Sequence, residues 1–148
     1  MKHSYRVTKY YKYDDQGTLF SSSDEWTSFY DVGTKVDLNN YLVVEKLYLD
    51  FIMAECSAHN IDFLEISSLE ADNKEFPYRE KEIVSGEDIR KVAKHVLRED
   101  AWCKLVSKDL QIHFGYDFYM YLVSNSPIDK STHTNSLLNI EEFRSPYL

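Results

Sequence analysis

The 148-residue chain is poor in residues that punctuate or cross-link a backbone: it has four glycines, three prolines and two cysteines. So little Gly and Pro excludes collagen-like, linker-rich and most turn-dense all-β designs. Cys56 and Cys103 are far apart and each sits among apolar neighbours. That is the pattern of free, buried thiols in a reducing compartment. Positive charge is scarce as well. Seventeen Lys and Arg against 25 Asp and Glu leave a formal net charge of −8, which argues against a nucleic-acid binder and against adhesion to anionic lipid. The longest apolar stretch, Tyr41 to Cys56, is broken by Glu45, Lys46, Asp50 and Glu55, so no membrane span is expected. The opening MKHSYRVTKYYKYDD lacks a signal-peptide core, and the expected location is cytoplasmic.

Spacings that announce chemistry are also missing. The five histidines and two cysteines form no His-x-x-x-His, His-Glu-x-x-His or Cys-x-x-Cys pattern, so no metal site and no cofactor are expected. Gly17, Gly33, Gly86 and Gly115 are too scattered for a phosphate-cradling loop. No Gly-x-Ser-x-Gly elbow occurs, and Cys103, in an expected strand beside Trp102, has no nearby base to activate it. No catalytic residue is assigned.

What is present is a well-filled core: 43% hydrophobic and 15% aromatic residues, with 12 tyrosines, enough for one domain spanning residues 1–148. Ser4 to Tyr13 places Tyr5, Val7, Tyr11 and Tyr13 in one period-2 register and predicts a strand, with turn chemistry following at Asp14 to Gly17. Asp24 to Gly33 reads as a short strand and loop. Asp37 is a plausible N-cap for a helix through Ala58. Its main stripe is Leu38, Tyr41, Leu42, Tyr48, Leu49, Ile52, Met53 and Cys56. A second apolar side carries Val43, Val44, Leu47 and Phe51, which either meet another layer of the domain or form a partner surface.

Ile61 to Leu69 reads as a buried strand and Glu70 to Glu82 as a charged loop. Ser85 to Asp88 looks like a capping box. It precedes a helix with Ile89, Val92, Ala93, Val96 and Leu97 inward and Arg90, Lys91, Lys94, His95 and Arg98 outward. Trp102 to Ser107 and Leu110 to Ser124 predict a hairpin turning near Lys108-Asp109. On its second strand Ile112, Phe114, Tyr116, Phe118, Met120 and Leu122 share one face; His113, Gly115, Asp117, Tyr119, Tyr121 and Val123 share the other. Trp102, Tyr116 and Phe118 are expected in the core. The tail from Asn125 is a polar loop with a short terminal element packed through Ile140, Phe143 and Tyr147. The sum is an α+β domain, order β-α-β-α-β-β, with a mostly antiparallel sheet of four to five strands under two helices on one face.

Two features invite a functional reading. His113 and Asp117, two same-face positions apart, would stand about 7 Å apart on a straight strand. With Tyr119 and Tyr121 they form either a polar sheet face or the site of a small hydrolase or transferase. Glu45 falls inside the main apolar stripe of the first helix, where a charge is costly unless paired. It is either structural, in an ion pair or a Tyr hydroxyl contact, or a partner-binding or catalytic carboxylate.

WCKLVSKDLQIHFGYDFYMYLVS (Trp102 to Ser124), DEWTSFYDVG upstream and the terminal IEEFRSPYL resemble small bacterial proteins of toxin-immunity loci, including contact-dependent-inhibition and polymorphic-toxin systems. The resemblance covers most of the chain, from Tyr5 to Tyr147. It implies a non-catalytic protein that binds and occludes a cognate toxin. The family shares no single set of functional residues, so none is carried over. Surface tyrosines and negative charge suit recognition of a basic protein partner, with no role for nucleic acid or membrane. Candidate contact residues are Asp14, Asp15, Asp72 and Glu75 in loops, Val44, Glu45, Leu47 and Phe51 on the first helix, and His113, Asp117, Tyr119 and Tyr121. A homodimeric interaction module using the second apolar face of that helix is the other binding reading.

Overall fold

The computed structural model describes residues 1–72, 75–134 and 136–148. Among these residues, nine strands and two α-helices follow one another as β1 (His3–Thr8), β2 (Lys12–Tyr13), β3 (Leu19–Phe20), α1 (Leu38–Ala58), β4 (Phe63–Glu70), β5 (Ile83–Ser85), α2 (Glu87–Leu97), β6 (Trp102–Val106), β7 (Leu110–Phe114), β8 (Met120–Ser124) and β9 (Asn139–Glu142). Seven strands form one antiparallel sheet in the order β5-β4-β6-β7-β8-β1-β9, and β2 pairs with β3 apart from it. The α+β class holds, with more strands than the four to five expected. No helix among the described residues is long and apolar enough to cross a membrane.

Period-2 alternation decides which side of the sheet is dry. Leu64 and Ile66 of β4, Cys103 and Leu105 of β6, Ile112 and Phe114 of β7, Met120 and Leu122 of β8, and Tyr5 and Val7 of β1 are all buried, in one cluster with the inward residues of α1 and α2. Both cysteines are free thiols within it, and burial pushes Cys56 up to about 11 and Cys103 to about 12. Asp37 caps α1 as expected, its carboxylate accepting from Asn40 N at 2.7 Å.

Several expectations change. The segment Ser4 to Tyr13 is two strands: Tyr5 and Val7 are buried, while Tyr11 and Tyr13 lie outside. The kink is held by Thr8 Oγ1, which accepts from Tyr10 N. Asp24 to Gly33 contains a 3-10 turn, Phe29–Asp31, instead of a strand, because the Asp31 carboxylate takes the Thr27 N–H at 2.8 Å. The Ser85 capping box does not form. Gly86, at φ 53°, is the N-cap with no side-chain cap, and the Asp88 carboxylate accepts from Tyr78 OH instead. Arg98 turns inward to Glu45.

The largest change is that Leu110 to Ser124 is a hairpin in its own right, reversing at residues 115–119. Asp117 and Phe118 both have positive φ, 61° and 65°, a conformation that costs an L-residue about 1 kcal/mol or more. Two tyrosine hydroxyls from elsewhere hold it: Tyr10 OH donates to Asp117 O at 2.6 Å and Tyr48 OH to Phe118 O at 2.7 Å. Gly115 suits this close approach: a Cβ there would come within 3.1 Å of Tyr119 Cβ, so a larger residue would have to push Tyr119 back by a few tenths of an ångström. Phe118 is core, packed edge-on against Trp26, Tyr41 and Tyr48. Trp102 is only half-buried, and Tyr116 is 63% exposed at the turn, contrary to expectation.

Candidate partner-binding cleft

The sheet positions a cleft at one end of β6. Glu70 closes β4 opposite Trp102 at the start of β6. The chain between α2 and β6 brings Glu99, Asp100 and Ala101, and the 115–119 turn brings Gly115 and Tyr116. Tyr30 comes from the 3-10 turn and Asp72 from the loop after β4. Together with Val96 they enclose about 340 Å³. Four of these ten residues are acidic and none is basic. Three are aromatic, and Tyr30 and Tyr116 are 71% and 63% exposed.

Electrostatically the cleft is one-sided. Asp100 faces His95, with Oδ2 3.1 Å from Nδ1. Glu70, Asp72 and Glu99 have no ion pair among the described residues. Partial burial, then the field of Asp117, pushes the Glu99 carboxyl above its ordinary value, the condition of a carboxylate that a cation would relieve. The C-terminal end of α2 opens here, and its carbonyls add to the negative potential. Exposed tyrosines beside carboxylates form a surface for a guanidinium or ammonium group. Among the described residues no group of three or more His, Cys, Asp or Glu is arranged to hold a metal.

Of the candidate contact residues named from the sequence, only Asp72 lines this cleft, joined by Trp102 and Tyr116, which were expected in the core. Asp14 and Asp15 lie in the exposed turn between β2 and β3, where the Asp14 carboxylate accepts from Gln16 N and Thr18 N. Glu75 is exposed. Glu45 is 3% exposed and bound by the Arg98 fork at 2.8 and 2.9 Å and by Tyr41 OH at 2.6 Å, a structural ion pair. On the second side of α1, Phe51 is buried against the His133 ring, so another part of the chain covers it, while Val44 and Leu47 are half-buried.

His113 and Asp117 are not partners on one strand. His113 is buried in β7, with Nδ1 2.8 Å from Ser145 Oγ and Nε2 2.9 Å from Gln111 Oε1; Asp117 is exposed in the turn. Tyr119 is half-buried against Tyr10 at 5.5 Å, and Tyr121 is buried on the sheet face away from the helices.

Sequence reasoning missed Tyr30, Glu70, Glu99, Asp100, Trp102 and Tyr116 as a group, since they come from four separate stretches. The one local signal was the acidic pair at 99–100 directly after a helix with a basic outer face. It missed a second buried carboxylate too: Glu55 sits 2.7 Å from His133 Nε2 and 3.3 Å from His59 Nε2, where it ties the 130–133 turn to α1. No protein-family model matches the chain, and neither curated proteins nor solved structures give a match.

Proposed function

We propose that this protein is a non-catalytic, cytoplasmic immunity protein that binds and occludes a basic toxin, with the cleft between α2, β6 and the 115–119 turn as its docking site. The observation that carries the reading is the cleft's composition: four carboxylates, three aromatic side chains and, among the described residues, no cation. Such a site favours an arginine or lysine side chain, and its negative field speeds encounter with a basic partner. Tyrosine supplies contact area with little rotamer entropy to lose. The resemblance to toxin-immunity proteins supplies the kind of partner, and the net charge of −8 suits it.

The test is co-expression with the product of the adjacent gene, followed by affinity purification and sizing. A stoichiometric complex that suppresses the partner's toxicity is the expected result. The variant Glu70→Gln/Glu99→Gln/Tyr116→Ala should fold and fail to protect. Full protection by that variant would move the interface elsewhere, and the absence of any complex would remove the immunity reading.

A further inference from the structure

The sheet face away from the helices is crossed by the C-terminal segment, residues 143–148, which is tied down by a series of specific contacts. Phe143 N donates to Ser4 O at 3.0 Å and Ser145 N to Ser4 Oγ at 2.9 Å. Ser145 is 2% exposed. Gln111 Oε1 can only accept, so His113 Nε2 donates to it. His113 Nδ1 therefore accepts from the Ser145 hydroxyl, whose oxygen accepts from Tyr147 N at 3.2 Å. Lys104 Nζ donates to Tyr147 O at 2.6 Å. The Tyr147 ring then lies 5.5 Å from Trp102, 6.0 Å from Tyr121 and 6.3 Å from His113.

Trp102 is the side chain shared between this segment and the cleft. Its indole Nε1 donates to Phe114 O at 2.8 Å, its ring meets Tyr147, and it also lines the cleft, which Tyr147 does not. A single hydrogen bond leaves an indole free to pivot about it, whereas a hydrogen bond plus a packed ring fixes the plane. We propose that residues 143–148 act as a strap that holds the aromatic wall of the cleft in place, with Tyr147 as a positioning residue acting through Trp102. The idea rests on the cleft being the binding site proposed above. It adds a route by which events at this segment change binding without touching the cleft.

The decisive experiment uses the full chain with ¹⁵N-indole-labelled tryptophan, which gives one signal each for Trp26 and Trp102, assigned with Trp26→Phe. Tyr147→Ala should shift or broaden the Trp102 signal and leave that of Trp26 in place, while Tyr147→Phe, which keeps the ring, should leave both. Titration with an arginine-rich peptide should show affinity weakened about three- to tenfold in Tyr147→Ala and unchanged in Tyr147→Phe, the scale of one lost aromatic contact. If Tyr147→Ala disturbs both tryptophans, Ser145→Ala takes its place, since it loosens the strap without removing a ring. An unmoved Trp102 signal, or wild-type peptide affinity alongside a moved one, overturns the proposal. A wild-type protein that ignores the peptide overturns the cleft as a cation site, and the Trp102 signal then still decides whether the strap holds that wall.

Discussion

Glu45 and Glu99 are the same kind of group in opposite circumstances. Glu45 is withdrawn from water and fully matched: the two nitrogens of Arg98 and the Tyr41 hydroxyl take up its oxygens, and Arg98 lies over the Phe29 ring at 4.5 Å. Glu99, one residue beyond Arg98, has no cation within bonding distance among the described residues and faces a cleft shared with Glu70, Asp72 and Asp100. Folding thus spends some carboxylates on internal ion pairs and leaves others aimed at an opening. A net charge of −8 cannot distinguish the two sets; geometry can.

The sharpest way to test that division is to remove Glu45. Glu45→Ala would leave the partly buried Arg98 guanidinium and the Tyr41 hydroxyl without their acceptor, and should cost about 3 kcal/mol, the lower end of the range for breaking a buried pair because Arg98 keeps some contact with water. Chemical denaturation reads this directly. A loss below about 0.5 kcal/mol, the level of an ordinary surface change, would place Glu45 with the free carboxylates.

His113 is a third solution to burying a titratable group: it is kept neutral. Burial, then the Lys104 charge, lowers its pKa to about 4. The folded-state value lies below the ordinary imidazole value, so the unfolded chain takes up the proton first as pH falls. The stabilisation is complete above about pH 6.5 and is lost as pH drops through about 4. The full swing is about 3 kcal/mol. Wild type should therefore lose melting temperature between about pH 6.5 and about pH 4 more steeply than His113→Gln, which has no proton to accept. Parallel slopes in the two proteins would mean that the imidazole is not held neutral.

How much of this was legible beforehand depended on whether a feature was local. Both helices were, because Tyr41, Tyr48, Ile52 and Cys56 in one and Ile89, Val92, Ala93 and Val96 in the other repeat at helical spacing on their own. Glu45 announced itself as a charge inside such a stripe. The reversal at 115–119 was hidden: alternation continues through it, so Ile112 and Leu122 share a face whether or not the chain turns between them, and the hydroxyls that hold the turn belong to Tyr10 and Tyr48. Asp14 and Asp15 showed the opposite limit, because loop acids look alike in sequence whether they border a cleft or cap their own turn.

Neutralising the cleft, with Glu70→Gln, Glu99→Gln and Asp100→Asn together, should leave stability within about 0.5 kcal/mol, since among the described residues only Asp100 of the three has an ion-pair partner. Affinity for a basic partner should fall about tenfold, or ~1.4 kcal/mol. Calorimetric titration against an arginine-rich peptide, alongside a melting curve, separates the two quantities. Lost stability with unchanged affinity would reverse the comparison, making the cleft acids structural.

The smallest effect is expected from the acids outside the cleft. Asp14→Asn and Asp15→Asn remove two exposed charges from the β2–β3 turn. They leave the cleft carboxylates in place, and the asparagine introduced by the first change still offers the side-chain oxygen that the Gln16 and Thr18 amides need. If negative charge acts by general attraction, these changes should slow association and flatten its dependence on salt as much as an equal number of changes in the cleft. If the cleft is where the partner's cation lodges, the turn variant should show a modestly slower on-rate at low salt, no difference from wild type once salt screens it, and an unchanged dissociation rate. Glu70→Gln/Glu99→Gln should speed dissociation at every ionic strength, because a contact at close range is screened far less than a long-range field. Stopped-flow association and dissociation rates at low and high salt distinguish these cases. Equal behaviour of the two variants would make the acidic surplus a diffuse property of the surface, with no privileged place for the cleft.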